Sequence, residues 1–150
     1  MRDILFRGKT VGTNGKFVYG NLIYVEGYCC ILERKEDLHP MDEPYLDGEI
    51  GWIDGKATPV RLETVGQFTG LHDKNGKKIF EGDVVRTKYG RLCIVKWFST
   101  GAYCGWDLRP VNHYHNIVDT KAPTEYDVWD SYNLEVVGNI HDNPEYLEVK

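Results

Sequence analysis

Two histidines separated by one residue, His113 and His115, form the arrangement in this sequence that most resembles a metal-binding pair. Alternate side chains of a β-strand share a face, so the two imidazoles would lie about 7 Å apart. A catalytic zinc also needs a third protein ligand and an open position. His141, Cys104 and Asp107 carry suitable atoms, but no spacing supports any of them. We therefore interpret the pair as ordinary exposed or half-buried histidines, and we predict no metal and no cofactor.

Other catalytic patterns are missing from the sequence. Ser99 and Ser131 are the chain's two serines, and neither lies on the strand-to-helix turn of a nucleophile elbow. No glycine-rich phosphate-binding string occurs. Glu81 and Asp83 are two residues apart and would share one strand face, but beside a turn we expect them to bind backbone amides. The sequence therefore predicts a protein that is not an enzyme.

The four cysteines do not suggest a disulfide framework or a zinc site. Cys29 and Cys30 are adjacent and would point to opposite faces of a strand, and no C-x-x-C pair occurs. Cys93 and Cys104 stand singly among aromatic and aliphatic residues. Apolar surroundings raise the pKa of a thiol and make it inert. We expect buried, reduced cysteines.

The middle of the chain is basic, and both ends are acidic. Residues 71–100 hold 7 Lys/Arg against 3 Asp/Glu, a net charge of +4, whereas residues 1–70 and 101–150 have net charges of −3 and −6. Cations that follow a phosphate backbone, together with aromatic side chains on which bases stack, are the components of single-strand binding sites. The candidate cations are Lys74, Lys77, Lys78, Arg86, Lys88 and Arg91.

Two observations oppose nucleic-acid binding by this hairpin, residues 74–96. The whole chain has a net charge of −5, and such a field repels polyanions. Several of the aromatic residues in this segment or directly after it, namely Phe80, Tyr89, Trp97 and Phe98, are also needed to fill a small core. A solvated hairpin face therefore explains the same residues, and nucleic-acid binding stands as the alternative to a function in protein–protein contacts.

Short runs of β-branched and aromatic residues, separated by Gly, Asn and Asp, dominate the sequence and predict a mainly β protein. Residues 92–98 are apolar on both alternating faces, which predicts a central strand. Residues 33–48 are charged and contain two prolines, which predicts an exposed loop. The pattern at residues 124–129 suggests one short helix, and Asn143-Pro144-Glu145 has the order that opens a terminal helical turn.

Two segments carry a family resemblance. Residues 63–83, ETVGQFTGLHDKNGKKIFEGD, resemble the signature of the YopX family, whose members are encoded in phages and prophages of Gram-positive bacteria. Residues 135–145, EVVGNIHDNPE, resemble its closing motif, and Ile4-Leu5-Phe6-Arg7-Gly8 fits its opening. The resemblance implies a YopX-like unit over residues 1–150, with an N-terminal β-meander, 1–62, and a C-terminal SH3-like small barrel, 63–150. It implies no established activity.

The expected setting follows from the same observations. No apolar run approaches the ~20 residues of a membrane helix, and the N-terminus lacks the apolar stretch of a signal peptide. We expect a protein of the bacterial host's cytoplasm with no membrane contact. As partners we expect further copies of the chain and an unknown phage or host protein, with nucleic acid as the alternative.

Overall fold

The computed structural model describes residues 3–12, 15–34, 55–102, 104–111 and 133–147. These residues form ten β-strands and two 3₁₀ turns, so the predicted mainly β class is confirmed. The chain divides into two compact units, Met1–Phe68 and Thr69–Lys150. The sequence had placed the division a few residues earlier, after residue 62.

The first unit is an antiparallel sheet built mainly from consecutive strands. Its strands are β1 (Phe6–Lys9), β2 (Phe17–Val25), β3 (Tyr28–Arg34), β4 (Gly55–Pro59) and the first part of β5 (Gly66–His72). They lie in the order β4-β3-β2-β1-β5. One face packs as a core of Val18, Cys29, Ile31 and Val60, with Phe6, Leu22 and Val65 beside it. Strand alternation explains the pattern, since β2 and β3 place every second residue on this face.

Glycine is required inside β2 because two strands approach closely there. A Cβ atom on Gly20 would lie 2.0 Å from the carbonyl oxygen of Leu32. Such a contact forces the backbone apart, so any side chain at position 20 opposes the alignment of β2 with β3.

The second unit contains the rest of β5, followed by β6 (Lys78–Phe80), β7 (Asp83–Arg86), β8 (Leu92–Ser99), β9 (Cys104–Pro110) and β10 (Glu135–Asn139). Four of these strands form an antiparallel sheet in the order β10-β7-β8-β9. Its core consists of Ile79, Val85, Cys93, Val95, Leu108 and Leu134, with Trp106 and Val136 packed against it.

The signature segment folds as its residue pattern predicts. Residues 66–86 are present as β5, β6 and β7, and β8, which contains the central strand predicted at residues 92–98, is central in its sheet. Chain reversal between β6 and β7 uses Gly82, whose φ of 82° is accessible to glycine at little cost. The Asp83 carboxylate, 1% exposed, accepts a hydrogen bond of 2.8 Å from the Phe80 N–H. Its predicted role in binding backbone amides is therefore confirmed.

One detail of the predicted architecture differs from the structure. In the described ladder, β9 and β10 stand at opposite ends of the four-stranded sheet, so this sheet is open and not a closed barrel. Closure of a barrel requires the two end strands to pair, and among the described residues β9 and β10 do not pair. Residues 35–48 of the predicted loop and the short helix predicted at 124–129 lie outside the described residues. Glu33 and Arg34, predicted as the start of that loop, are instead the last residues of β3. The terminal helical turn is present as a 3₁₀ turn, Pro144–Leu147.

Replacing Gly20 by alanine tests the close approach in the first unit. We expect Gly20→Ala to lower the free energy of unfolding by roughly 3 kcal/mol, because the new methyl group overlaps a backbone oxygen that cannot turn away. Urea unfolding followed by circular dichroism measures the change. Gly101→Ala is the matched control, since its Cβ would meet nothing within 4 Å. Equal stability of the two variants would contradict the packing described for β2 and β3.

Candidate functional site

The turn between β5 and β6 is organised by one buried carboxylate, Asp73, which is 5% exposed. Its Oδ1 atom accepts hydrogen bonds from the N–H groups of Asn75 at 2.8 Å and Lys77 at 2.9 Å. Its Oδ2 atom accepts one from the N–H of Val136 at 2.9 Å, 63 residues further along the chain. Burial alone would raise the pKa of Asp73, but these three bonds and the charge of Lys77 bring it below its ordinary value.

The same contacts bring two turns to one end of the second unit. The Lys74 N–H donates to the carbonyl of Leu134, at the start of β10. The next residue, Glu135, is the antiparallel partner of Arg86, the last residue of β7. The β7–β8 turn follows at once and is closed by a bond from the Thr87 N–H to the Arg91 carbonyl. We call this region, Lys74–Lys77 together with Arg86–Arg91, the cationic end.

Two cations of the cationic end share one carboxylate oxygen. The Nζ atom of Lys74 lies 2.9 Å from Oε2 of Glu135, and the Nη1 atom of Arg86 lies 3.7 Å from the same oxygen. The hydrogen bond from Lys74, with the charges of Lys74 and Arg86, lowers the pKa of Glu135. One negative charge between two positive charges leaves this group with a net positive charge.

The structure brings five of the six candidate cations to this end. Lys77, Lys88 and Arg91 are exposed there, beside the shared pair of Lys74 and Arg86. Lys78 is exposed at the start of β6, one residue beyond the turn. Lys96, within the hairpin 74–96, is half-buried further along β8 with Asp107 as its strand partner.

Of the aromatic residues in the basic segment, one is both exposed and placed at the cationic end. Tyr89 is 61% exposed, and the Nζ atom of Lys88 lies 5.0 Å from the centroid of its ring. Phe80 is buried in the unit. Trp97 packs edge-on against Trp106 with ring centroids 5.0 Å apart, and the Phe98 ring lies under Arg109. Tyr89 is therefore the aromatic residue of this segment on which a base could stack at the cationic end.

The cysteines differ in burial. Cys29, Cys30 and Cys93 are buried as predicted, but Cys104 is exposed, so that part of the prediction is wrong. Cys104 is the first residue of β9, where the strand has not yet joined the core. Burial raises the pKa of Cys29 and of Cys30, which keeps both thiols protonated and unreactive.

The residues considered as metal ligands from the sequence do not form a metal site in the described part of the chain. His113 and His115 lie outside the described residues, whereas Cys104, Asp107 and His141 lie within them. Among the described residues no group of three His, Cys, Asp or Glu side chains is arranged to hold a metal ion. Nor does any helix in the described part of the chain have the length and apolar character to cross a bilayer.

Sequence reasoning missed Glu135 as a member of the site. The residue opens a strand that the sequence predicts well, but no local pattern indicates that β10 pairs with β7. Antiparallel pairing between distant segments depends on tertiary packing, which leaves no trace in the spacing of neighbouring residues.

Two antiparallel sheets with short 3₁₀ turns define a small mainly β protein. Residues 63–83 contain Asp73 and residues 135–145 contain β10, so the two segments with the family resemblance are joined by the hydrogen bond from Val136 to Asp73. A family model described as "YopX protein" matches residues 15–148. The chain belongs to the YopX family.

Two other comparisons concern solved structures and curated proteins. The chain resembles a solved structure described as "Crystal structure of protein EF1440 from Enterococcus faecalis", with 20% identity and a TM-score of 0.48, over 99% of this chain and 100% of that chain. No curated protein matches the chain.

Substituting Asp73 tests the hydrogen bonds that attach β10. We expect Asp73→Asn to lower the free energy of unfolding at pH 7 by about 1–3 kcal/mol, because the amide nitrogen cannot accept a bond and a part-buried N–H loses its charged acceptor. The pKa of Asp73 is lower in the folded chain than its ordinary value of 3.8. Its contribution is therefore complete above that value and is lost as the pH falls through the folded pKa.

Urea unfolding at pH 7 and at about pH 3 measures both effects. The wild type should lose more stability on acidification than Asp73→Asn does. Glu145→Gln, a change at an exposed carboxylate of the terminal 3₁₀ turn, is the control and should follow the wild type. An Asp73→Asn variant with the wild type's stability and acid response would show that the three bonds do not hold the strand.

Proposed function

We propose that this YopX protein is a non-catalytic accessory protein of a phage or prophage, located in the cytoplasm of the bacterial host, that acts by binding proteins, including further copies of itself. The observation that carries the proposal is the tip of the β2–β3 hairpin, Tyr24–Tyr28. Tyr24 is 64% exposed and Tyr28 is 68% exposed. Tyrosine combines a large apolar ring with a polar hydroxyl and is enriched in protein interfaces.

The hairpin tip presents its two rings in a fixed arrangement. Tyr24 is the strand partner of Cys29, and Tyr28 is the partner of Val25, so the two rings project from opposite faces. Glu26 and Gly27 have φ values of 49° and 86°, the positive values that a two-residue turn of type I′ requires. A rigid turn that carries aromatic residues loses little conformational entropy on binding.

Two of the four edge strands in the described sheets, β9 and β4, favour contact through the tip over pairing between edges. Strand β9 carries an ion pair of 2.7 Å between Arg109 and Asp107 and ends at Pro110. Strand β4 ends at Pro59, and its Thr58 hydroxyl donates to Glu33 at 2.7 Å. Charged residues and prolines on edge strands oppose the addition of another strand.

The non-catalytic part of the proposal draws support from the use of the chain's reactive groups. The buried carboxylates Asp73 and Asp83 bind backbone N–H groups, and the pKa values of the Cys29 and Cys30 thiols are raised. These four groups act in folding, and their use there supports the non-catalytic part of the proposal.

Convergence of the two cationic turns favours a second function, the binding of single-stranded nucleic acid through the hairpin 74–96. Five exposed or half-exposed cations and one exposed tyrosine at one end of the unit are what an anionic strand would contact. This second function is independent of the first, since the two surfaces belong to different units.

Light scattering after size-exclusion chromatography tests the binding proposal. We expect the wild type to elute as an oligomer at concentrations near 100 μM, a range roughly suited to modest interfaces. The double variant Tyr24→Ser with Tyr28→Ser should shift to the monomer mass, because the interface loses both rings.

Tyr89→Ser is the matched control, since it also removes an exposed tyrosine from a hairpin turn and should leave the mass unchanged. Circular dichroism establishes that all variants are folded. A strictly monomeric wild type at high concentration would remove self-association from the proposal. If the double variant keeps the oligomeric mass of the wild type, the interface lies elsewhere on the protein.

A further inference from the structure

We infer that the cationic end is a docking point for a single nucleic-acid strand, in which Lys77, Lys88 and Arg91 contact successive phosphates and one base stacks on Tyr89. This inference rests on the second function named above and specifies its residues and ligand. The juxtaposition behind it is the meeting of the β5–β6 and β7–β8 turns at the start of β10.

Positive charge at this end is accessible, whereas the nearby negative charge is mostly internal. Of the three acids in residues 71–100, Asp73 and Asp83 are 5% and 1% exposed and are hydrogen-bonded to backbone amides. Lys77, Lys88 and Arg91 are exposed. An approaching phosphate therefore meets more ammonium and guanidinium groups than carboxylates at this end, where Glu135 is the partly exposed acid.

Glu135 reduces the positive charge of the cationic end without neutralising it. Its single carboxylate holds Lys74 and Arg86, so these two cations are positioned by an acid and by the start of β10. The other cations of the end lie on turn residues and extend beyond the sheet. Phosphates bound by such groups displace condensed counterions, which makes the binding free energy depend on salt concentration.

Tyr89 selects a single strand over a duplex. The ring lies in a tight turn closed by bonds between Thr87 and the residues Gly90 and Arg91, so its backbone is held in place. Its exposed face offers a surface for one base, and the neighbouring Lys88 ammonium stands near the ring. Bases in a duplex are stacked on one another and are not available to such a ring.

An acidic protein partner is the other ligand that a cationic patch would attract. The exposed aromatic ring favours nucleic acid, because carboxylates gain nothing from a ring face whereas every base has one. The phosphate spacing of a flexible strand also suits cations placed on two turns. We therefore commit to nucleic acid and treat an acidic polypeptide as a competing outcome.

Fluorescence anisotropy with a labelled oligothymidylate of about 12 nucleotides tests the inference on the full chain. Affinity should fall about 20-fold between 50 and 200 mM salt, as expected for three neutralised phosphates. Lys88→Glu and Arg91→Glu should each weaken binding and reduce the salt slope by about 0.7 or more. Tyr89→Ala should weaken binding by about fivefold or more without changing the slope.

Lys16→Glu is the matched control, because it makes the same change in net charge at an exposed lysine of the first unit and should leave affinity unchanged. Circular dichroism checks the fold of each variant. Binding that survives Lys88→Glu, Arg91→Glu and Tyr89→Ala would overturn the assignment to this end while leaving nucleic-acid binding in place. An absence of binding at 50 mM salt would end both the assignment and the second function. Equal affinity for duplex or for polyglutamate, with no effect of Tyr89→Ala, would replace the stacked strand by simple attraction of polyanions.

Discussion

A buried carboxylate must be surrounded by donors, and in this chain that requirement links the most distant parts of the second unit. The Asp73 carboxylate accepts hydrogen bonds from two N–H groups of its own turn and from the N–H of Val136 in β10. The local bonds shape the turn, and the distant bond fixes the strand that enters beside β7. Without the distant bond the part-buried Val136 N–H would lose a charged acceptor, and hydrogen bonds to charged groups contribute about 1.5–3 kcal/mol. This bond acts together with the ladder between β10 and β7 to place Glu135, where its carboxylate pairs with both Lys74 and Arg86.

The burial of carboxylates also explains how a protein with a net negative charge has a basic surface at one end. Asp73 and Asp83 terminate their turns by binding backbone N–H groups, and both are withdrawn from solvent in doing so. The lysines and arginines of the same segment have long side chains, which are costly to bury and remain at the surface. Sequence charge therefore understates the positive character of this end. The turn chemistry that stabilises the fold is also what separates the two signs of charge.

Strand positions were predictable because they are encoded locally. The alternation of residues 92–98 predicts a strand that is buried on both faces, and Val84 and Ile94 are indeed fully buried on the face opposite the core of Val85 and Cys93. Turn positions were predictable for the same reason, as at Gly82 and Asp83. The pairing of β10 with β7, the role of Glu135 and the open order of the sheet were not predictable. Periodicity shows which face a residue occupies, whereas the neighbour of a strand is decided by contacts between distant segments. Cys104 shows a similar limit, because its apolar neighbours do not reveal that β9 begins outside the core.

The distance over which charges act decides whether the acidic segments, residues 1–70 and 101–150, oppose the binding of an anionic ligand at the cationic end. At physiological ionic strength the Debye length is about 8 Å, so charges within one turn act together while charges further away are largely screened. Lys88 and Arg91 are three residues apart in a turn closed by two backbone hydrogen bonds, which places their charges well within that range. The net charge of −5 belongs to the whole chain, and most of its excess acid lies in residues 1–70 and 101–150. A ligand that touches the cationic end therefore experiences the local sign of charge, and the overall charge acts chiefly against non-specific association elsewhere on the surface.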